Sequence, residues 1–223
     1  MGLVQKIASK GLLYSFGIVF NRIVPEWLFR CRRYVIFEMK PGGDIAVNPK
    51  YADDGLQLRW CESEPDYRTV ERVTYFQRDN QPFESEACLA AFEDKIVAGF
   101  WCAMNDFVET ELGVTYKLQD DQTWLFAAQV DNDFQGRGIH QRVLQFMIAG
   151  LNDRGYPKVL LAVNPNNKPS IFAHQKHATR ELGKILAIRF LKTTLCFTGN
   201  HISSNKMLAS NSREAPIEIV INA

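Results

Sequence analysis

The segment Gln135-Gly136-Arg137-Gly138 contains residue types that could bind a phosphate group. A helix is predicted to begin directly after it, and helix N-termini present unpaired N–H groups and a partial positive charge. The two glycines would let a ligand approach the backbone closely. No acidic residue lies between Phe134 and Arg142, whereas His140 and two arginines can add donors or positive charge. The pattern indicates a pyrophosphate site, although a glycine turn before a core helix explains the glycines equally well.

The predicted elements around this segment form a strand–helix–strand crossover. A strand over 124–130 precedes the segment, and a short buried strand over 159–163 follows the helix. Apolar residues recur through the helix at four-residue intervals, namely Ile139, Val143, Met147 and Leu151. Gly155 and Pro157 then predict where the helix ends. A crossover of this kind favours two parallel strands.

The rest of the chain predicts a mixture of helices and strands. Helices are expected over 3–20, 25–33, 65–78 and after Pro169. Strands are expected over 34–39, 56–61, 185–197 and 217–221, with a hairpin formed by 87–92 and 96–104. A turn at 41–44, an acidic and less regular insertion at 105–123 and polar stretches at 44–55 and 199–214 separate these elements.

Charge and cysteine content limit the classes of function. The formal net charge of +1 argues against nucleic acid as the main partner. Residues 1–33 contain six Lys and Arg residues against one acid, Glu26, for a net +5, so the remainder of the chain carries −4. The five cysteines are odd in number and contain no CxxC pair, so we expect reduced thiols rather than disulfides or a zinc site.

The N-terminus has some features of a targeting segment but lacks others. The apolar run 11–20 is too short to span a bilayer and is not followed by a small-x-small cleavage site. Gly2 resembles a myristoylation site, but Lys6 occupies the position that requires Ser or Thr. We therefore expect a cytoplasmic protein. The apolar stripe and net +5 charge of residues 1–33 leave open a peripheral membrane contact, or docking onto the chain's own core or a twin subunit in a homodimer.

The loop lacks the Lys-Ser/Thr pair of a P-loop and the full GxGxxG of a dinucleotide site. It resembles the acetyl-CoA loop of the GCN5-related N-acetyltransferase (GNAT) superfamily, which has Gln or Arg, two residues, Gly, one residue, then Gly or Ala. Gln135, Gly138 and Arg137 match this pattern, and His140 stands at its last position.

The resemblance extends on both sides of the loop. Asn167 and Ser170 match the Asn and small residue that the family places after its fifth strand, while His174 stands where the family often has Tyr. Ala178-Thr179 replaces the family's Gly-Phe. The match covers about residues 86–197 and extends plausibly back to 56.

The resemblance implies a fold class and a domain organisation. We expect an α+β (α/β/α) fold with a mixed, mostly antiparallel central sheet and a parallel, splayed strand pair. Residues 1–50 would form an N-terminal helical extension with the first strand, and 51–223 the acyltransferase domain.

The resemblance also implies the chemistry. Acetyl-CoA or another acyl-CoA would be the co-substrate, without a metal, and an amine would attack its thioester directly. His174 would protonate the departing thiolate, with Asn167 and Ser170 completing the catalytic set. The residues implied in acyl-CoA binding are Ala128, Gln129, Val130, Gln135, Gly136, Arg137, Gly138, Ile139, His140 and Asn167.

The sequence leaves the base, the acceptor and the exact function open. The base that deprotonates the amine could be water or one of the carboxylates Glu93, Glu109, Glu111, Asp131 and Asp133. The acceptor is expected to be a small-molecule amine, selected by about 64–82, 105–123 and the region after 197. Two other functions remain: a longer-chain N-acyltransferase using acyl-CoA or acyl carrier protein, and a non-catalytic acyl-CoA-binding protein.

Overall fold

The computed structural model describes residues 24–25, 28–39, 55–175, 178–199, 202–203, 206–211 and 216–221. The chain divides into two compact units. The loop unit comprises residues 39–106 and 118–161, and the second unit comprises 1–38, 107–117 and 162–223. The predicted helix at 3–20, the turn at 41–44 and nearly all of the polar stretch 44–55 lie outside the described residues.

Strands outnumber helices in the described part of the chain. The strands are β1 (Phe29–Met39), β2 (Leu56–Trp60), β3 (Ser85–Phe92), β4 (Lys95–Ala103), β5 (Phe107–Glu109), β6 (Val114–Lys117), β7 (Gln122–Val130), β8 (Lys158–Val163), β9 (Ala178–Phe190), β10 (Thr193–Thr198), β11 (Met207–Ser210) and β12 (Ile217–Val220). The α-helices are α1 (Glu64–Thr74), α2 (Ile139–Asp153) and α3 (Lys168–Gln175), and short 3₁₀ turns occur at Arg78–Asn80 and Asn132–Phe134.

The loop unit is built on a mixed sheet with the strand order β8-β7-β4-β3-β2. The pairs β2–β3, β3–β4 and β4–β7 are antiparallel, and β7 pairs with β8 in parallel. This confirms the predicted mostly antiparallel sheet with one parallel pair, and the crossover through α2 that joins the pair. The predicted strands 56–61, 124–130 and 159–163 and the hairpin are also confirmed, with small shifts at their ends.

Helix α1 packs closely on β4. Its N-cap Ser63 accepts a hydrogen bond from the Asp66 N–H, and the helix ends at Tyr75, whose φ is 57°. It is therefore shorter than the predicted helix 65–78. Thr74, in its last turn, accepts a 2.9 Å hydrogen bond from the indole N–H of the buried Trp101. This bond satisfies a polar group that would be costly to bury alone.

The second unit contains two sheets. One has the order β11-β10-β9-β1, with antiparallel β9–β10 and β10–β11 pairs. The other has the order β12-β6-β5, in which β6 pairs with β5 antiparallel and with β12 in parallel. The predicted strands 34–39 and 217–221 are confirmed within β1 and β12.

Four sequence predictions in the second unit were wrong. Of the helix predicted over 25–33, the described residues do not form a helix: a turn closes on Pro25, and residues 29–33 lie in β1. The insertion 105–123 contains β5 and β6, the single strand 185–197 is a hairpin, and the polar stretch 199–214 contains β11.

Local chemistry explains two of these errors. Arg30 is almost fully buried, and its guanidinium donates to the Val24 and Phe29 carbonyls, so a charged residue occupies an inward strand position. The β9–β10 hairpin turns at Leu191, a non-glycine residue with φ of 54°, and therefore lacks the glycine or asparagine that usually marks such a turn.

Gly99 sets the distance between β4 and α1. A Cβ built on Gly99 would lie 2.6 Å from Val70 Cγ1 and 2.9 Å from Thr74 Cγ2. Contacts this short cannot be accepted without moving the helix or the strand.

We therefore expect Gly99→Ala to lower the free energy of unfolding by about 1–3 kcal/mol. Chemical denaturation measures the change. Val70→Ala removes the nearer contact, so the double variant should be more stable than the sum of the two single effects predicts. Strict additivity would show that the close approach is not the cause.

A buried carboxylate joins β5 to β1 in the second unit. The Tyr34 hydroxyl donates to Glu109 Oε1 at 2.6 Å, and Arg32 forms an ion pair with Glu111 at 2.6 Å. Burial raises the pKa of Glu109 from 4.5 to about 7, and the Tyr34 hydrogen bond and the Arg32 charge only partly oppose this. Glu109 therefore holds its proton more tightly in the folded chain than in the unfolded chain.

The pKa of Glu109 is higher in the folded chain than in the unfolded chain. Its contribution to the free energy of unfolding is therefore complete below about pH 4.5 and is lost as the pH rises to about 7. Glu109→Gln should remove this loss, on the order of 3 kcal/mol over that range. Denaturation midpoints measured from pH 4.5 to pH 8 test it. The exposed Glu218→Gln on β12 is the control and should keep the wild-type pH dependence.

Candidate active site

Strand β7 has a bulge near its middle. Gly99 pairs with Gln129 and Trp101 with Phe126, so two residues of β7, Ala127 and Ala128, oppose one residue of β4. Ala127 has a φ of 45°, which is unusual for a residue with a side chain. The bulge bends the strand just before the loop.

The end of β7 extends past its parallel neighbour. Paired positions run from Gln122 with Lys158 to Leu125 with Leu161. β8 continues for only two residues beyond the last pair, whereas β7 continues for five, so residues 128–130 lie beyond the end of β8.

The backbone of this overhang faces in alternating directions. The Asp131 N–H donates to the Val97 carbonyl on β4 at 2.8 Å. Successive residues of a strand direct their backbone groups to opposite sides, so Gln129 also faces β4 while Ala128 and Val130 face away from it. Of the three residues expected to offer backbone groups to a ligand, Ala128 and Val130 therefore have the suitable direction.

Gln135 braces the loop against the strand that precedes it. Its side-chain amide donates to the Val130 carbonyl at 3.2 Å and to Asn132 Oδ1 at 3.0 Å. Asp131 accepts from the Asp133 N–H at 3.1 Å and forms a 3.6 Å ion pair with Lys95. These bonds hold the short 3₁₀ turn over 132–134.

The loop ends at an open helix N-terminus. Gly136 and Gly138 both have left-handed backbone conformations, with φ of 80° and 75°. The first helical hydrogen bonds of α2 are donated by Gln141 and Arg142 to the Gly138 carbonyl. The N–H groups of Ile139 and His140 come before Gln141, the first residue that donates within the helix, and no acidic residue occurs in the first turn. The helix dipole makes this end electropositive.

These elements surround a cavity of about 350 Å³. It is lined by Ala128, Gln129, Val130, Phe134, Gln135, Gly136, Gly138, Ile139, His140 and Gln141. Eight of the ten residues implied in cofactor binding therefore lie around one space. The other two do not: the Arg137 guanidinium lies 4.9 Å from the centre of the Phe134 ring, and Asn167 belongs to the second unit.

Sequence reasoning missed Phe134 and Gln141 as lining residues. Phe134 stacks on Phe92 at 5.5 Å and also receives the Lys95 ammonium, 4.7 Å from its ring centre. Spacing from the glycines could have indicated Gln141, because it lies in the first turn of α2. Nothing in the motif indicated Phe134.

His140 is turned towards the core. Its ring contacts Phe100 edge-on at 4.8 Å between ring centres. The side chain that replaces the family's small residue is thus packed on β4, which leaves the backbone of the first turn facing the cavity.

The predicted catalytic residues lie together at α3. The Asn167 N–H donates to the Asn164 carbonyl at 2.9 Å, directly before the helix. His174 is buried, with Nδ1 at 2.7 Å from the Ser170 carbonyl and 3.3 Å from the Ser170 hydroxyl. A carbonyl oxygen only accepts, so Nδ1 carries a proton, and in the neutral ring the lone pair is on Nε2. Burial lowers the pKa of His174 below 6.5, so the neutral ring dominates at pH 7.

The carboxylates considered as a base have different surroundings. Asp131 caps the loop and pairs with Lys95, and Glu93 lies in the β3–β4 turn with φ of 51°. Glu109 and Glu111 belong to the second unit, where they contact Tyr34 and Arg32. In the part of the chain that the structure describes, no group of three or more His, Cys, Asp and Glu residues could hold a metal ion. All five cysteines are unpaired, and four of them are buried.

Among the described helices, none is long and apolar enough to cross a membrane.

Comparison with known proteins identifies the family. Residues 53–178, more than half of the chain, match the model of the acetyltransferase (GNAT) family. The chain matches no curated protein.

Solved structures of several acetyltransferases are similar to this chain at low sequence identity. A GCN5-related N-acetyltransferase from Kribbella flavida is 12% identical with a TM-score of 0.48, over 78% of this chain and 62% of that one. The ribosomal-protein-S18-alanine N-acetyltransferase from Escherichia coli is 18% identical with a TM-score of 0.42, over 54% and 75% of the two chains. An aminoglycoside acetyltransferase from an uncultured soil metagenomic sample is 16% identical with a TM-score of 0.41, over 56% and 88%. This chain thus spans less than two thirds of the first of these proteins.

The family match agrees with the parallel pair β7–β8 and the glycine loop at the start of α2. The chain belongs to the acetyltransferase (GNAT) family.

Proposed function

We propose that this protein transfers an acetyl group from acetyl-CoA to a small-molecule amine, with the acyl-CoA bound in the cavity at the start of α2. The observation that carries the proposal is the open helix N-terminus formed by Gly138, Ile139 and His140 at the edge of that cavity.

The residues present fit the pyrophosphate of CoA. Two backbone N–H groups precede the first helical donor, Gln141, the first turn holds no acid, and the loop residues 135–138 are exposed. Positive charge at a helix N-terminus stabilises a bound phosphate. Gln135 would act mainly through its brace to Val130, since its side-chain amide is already donating there.

The pantetheine arm would lie along the overhang of β7. Ala128 and Val130 direct their backbone groups away from β4. The Val130 carbonyl already accepts from Gln135, so the Ala128 N–H and carbonyl and the Val130 N–H are the groups that could bond an extended chain of amides. The bulge at Ala127 changes the direction of the strand at this point. The acyl-CoA thioester supplies the activated acetyl group, and the protein aligns it with the amine.

Transfer requires that the amine lose a proton and that the departing thiolate gain one. His174 is proposed for the second step, with Ser170 holding its ring through the bond to Nδ1. Because burial lowers the pKa of His174, only a minority of molecules carry the imidazolium at pH 7. Proton donation by His174 should therefore become more effective as the pH falls.

The function also includes an acceptor for the acetyl group and a location in the cell. Among proteins of similar structure, one acetylates a ribosomal-protein alanine and others acetylate aminoglycosides, so the family's acceptors include both proteins and small amines. A small-molecule amine acceptor and a cytoplasmic location are our proposals for this chain, supported by its near-neutral charge and unpaired cysteines.

Gly138→Asp should weaken CoA binding by more than about tenfold, because it places a carboxylate beside the proposed phosphate site. Isothermal titration calorimetry with CoA measures the affinity. Gly155→Asp is a matched control: Gly155 also has a positive φ, 92°, and a Cβ there also meets no atom within 4 Å, but it does not line the cavity.

Both aspartate variants should lose similar stability from backbone strain, since both place a side chain in the left-handed region. Only Gly138→Asp should lose CoA affinity. Equal affinities in the two folded variants would remove the loop as the acyl-CoA site.

His174→Gln should lower kcat by more than about tenfold while leaving CoA affinity nearly unchanged, as expected for loss of a general acid. The wild-type kcat should rise as the pH falls towards the pKa of His174, which lies below 6.5, and the variant should lack this rise. His177→Gln is the control and should keep the wild-type profile. A wild-type kcat that instead rises with pH through that pKa would assign His174 as a base.

A further inference from the structure

The second unit presents an apolar sheet face. Along β9, Ile185, Ala187 and Arg189 are buried, and the alternate residues point to the opposite face. That opposite face consists of Lys184, Leu186, Ile188 and Phe190 on β9 with Leu195 and Phe197 on β10. Leu186 pairs with Phe197 and Ile188 with Leu195, so the apolar side chains form one continuous surface. Phe190 and Phe197 remain 56% and 37% exposed.

One end of this face contains a cavity of about 340 Å³. Its described lining is Arg33, Tyr34, Pro165, Lys184, Ile185, Leu186, Phe197, Thr198 and Gly199. Two of these residues, Arg33 and Lys184, are cationic, and none is acidic. Within the described parts of the chain, neither cation forms an ion pair with a carboxylate. The cavity therefore combines two uncompensated positive charges with an apolar wall.

We propose that this cavity binds an amphipathic carboxylate: a ligand with one carboxylate group and an apolar body. The carboxylate would lie between the Arg33 guanidinium and the Lys184 ammonium, and the body would cover Leu186 and Phe197. A guanidinium suits a carboxylate because its N–H groups can bind both oxygens at once. This site goes beyond the transfer reaction, since none of its residues lines the acyl-CoA cavity.

Charge and shape together select this class of ligand. An amphipathic amine would place a third positive charge beside Arg33 and Lys184. A neutral apolar molecule would cover the wall but leave both cations without a partner. A small inorganic anion would satisfy the cations but leave Phe197 exposed, so it would gain nothing from the apolar wall.

The test is isothermal titration calorimetry of the full chain with sodium octanoate. Octanoate should bind, and octanamide, which has the same body without the charge, should bind at least about tenfold more weakly. Octylamine should show no binding. Equal affinity for octanoate and octanamide, or no measurable octanoate binding, would overturn the proposal.

Variants assign the binding to this cavity. Lys184→Gln and Arg33→Gln should each weaken octanoate binding at least about fivefold. Lys192→Gln is the matched control, because Lys192 is exposed in the β9–β10 turn and does not line the cavity. If Lys192→Gln and Lys184→Gln weaken binding equally, the effect is one of overall charge and the site is wrong.

The experiment also separates this site from the acyl-CoA cavity. Gly138→Asp should bind octanoate with wild-type affinity even though it loses CoA. Loss of both ligands in that variant would place the octanoate in the acyl-CoA cavity and reject the second site.

Discussion

The proposed acyl-CoA site depends on one backbone constraint: the N-cap of α2 is a glycine, which has no side chain to cap the helix. Gly138, the N-cap residue, has a left-handed conformation and forms no side-chain cap hydrogen bond. Most helices satisfy their first N–H groups with a Ser, Thr, Asp or Asn. In α2 we propose that a bound phosphate accepts from those groups instead, and the rest of the loop unit holds this end of the helix in place. The Gln135 brace, the bulge in β7 and the close packing at Gly99 all position the strand that leads into this end.

The sequence predicted this part of the chain well because its signals are local. Two glycines, a four-residue apolar repeat and a short apolar strand follow one another within about 30 residues. Each of these patterns depends only on residues that are close together in the sequence. The same reasoning could not foresee the role of Phe134, which depends on its contacts with Phe92 and Lys95 some 40 residues earlier in the chain. Nor could it foresee that His140 turns to Phe100.

The second unit was predicted less well because its contacts are mostly distant in sequence. Arg30 was predicted to lie in a helix, yet it is in β1 and its guanidinium donates to two backbone carbonyls. Residues 105–123 were predicted to be an acidic and less regular insertion. Within it, however, the Glu109 carboxylate accepts a hydrogen bond from Tyr34, 75 residues away. A buried acid with a partner that far away has no sequence signal of its own. The β9–β10 turn was missed for a different reason: it lacks the residue types that usually indicate a turn.

The pairing of β6 with β12 has a consequence for how the chain folds during synthesis. Ile217 aligns with Val114, so about one hundred residues must be made between the two partners. Closing a loop of this length carries an entropic cost, and parallel pairs of distant strands form slowly. The loop unit lies almost entirely within residues 39–161 and can complete its own sheet earlier. During synthesis, one edge of β6 therefore stays unpaired until β12 leaves the ribosome. In that interval another strand could pair with β6 in place of β12.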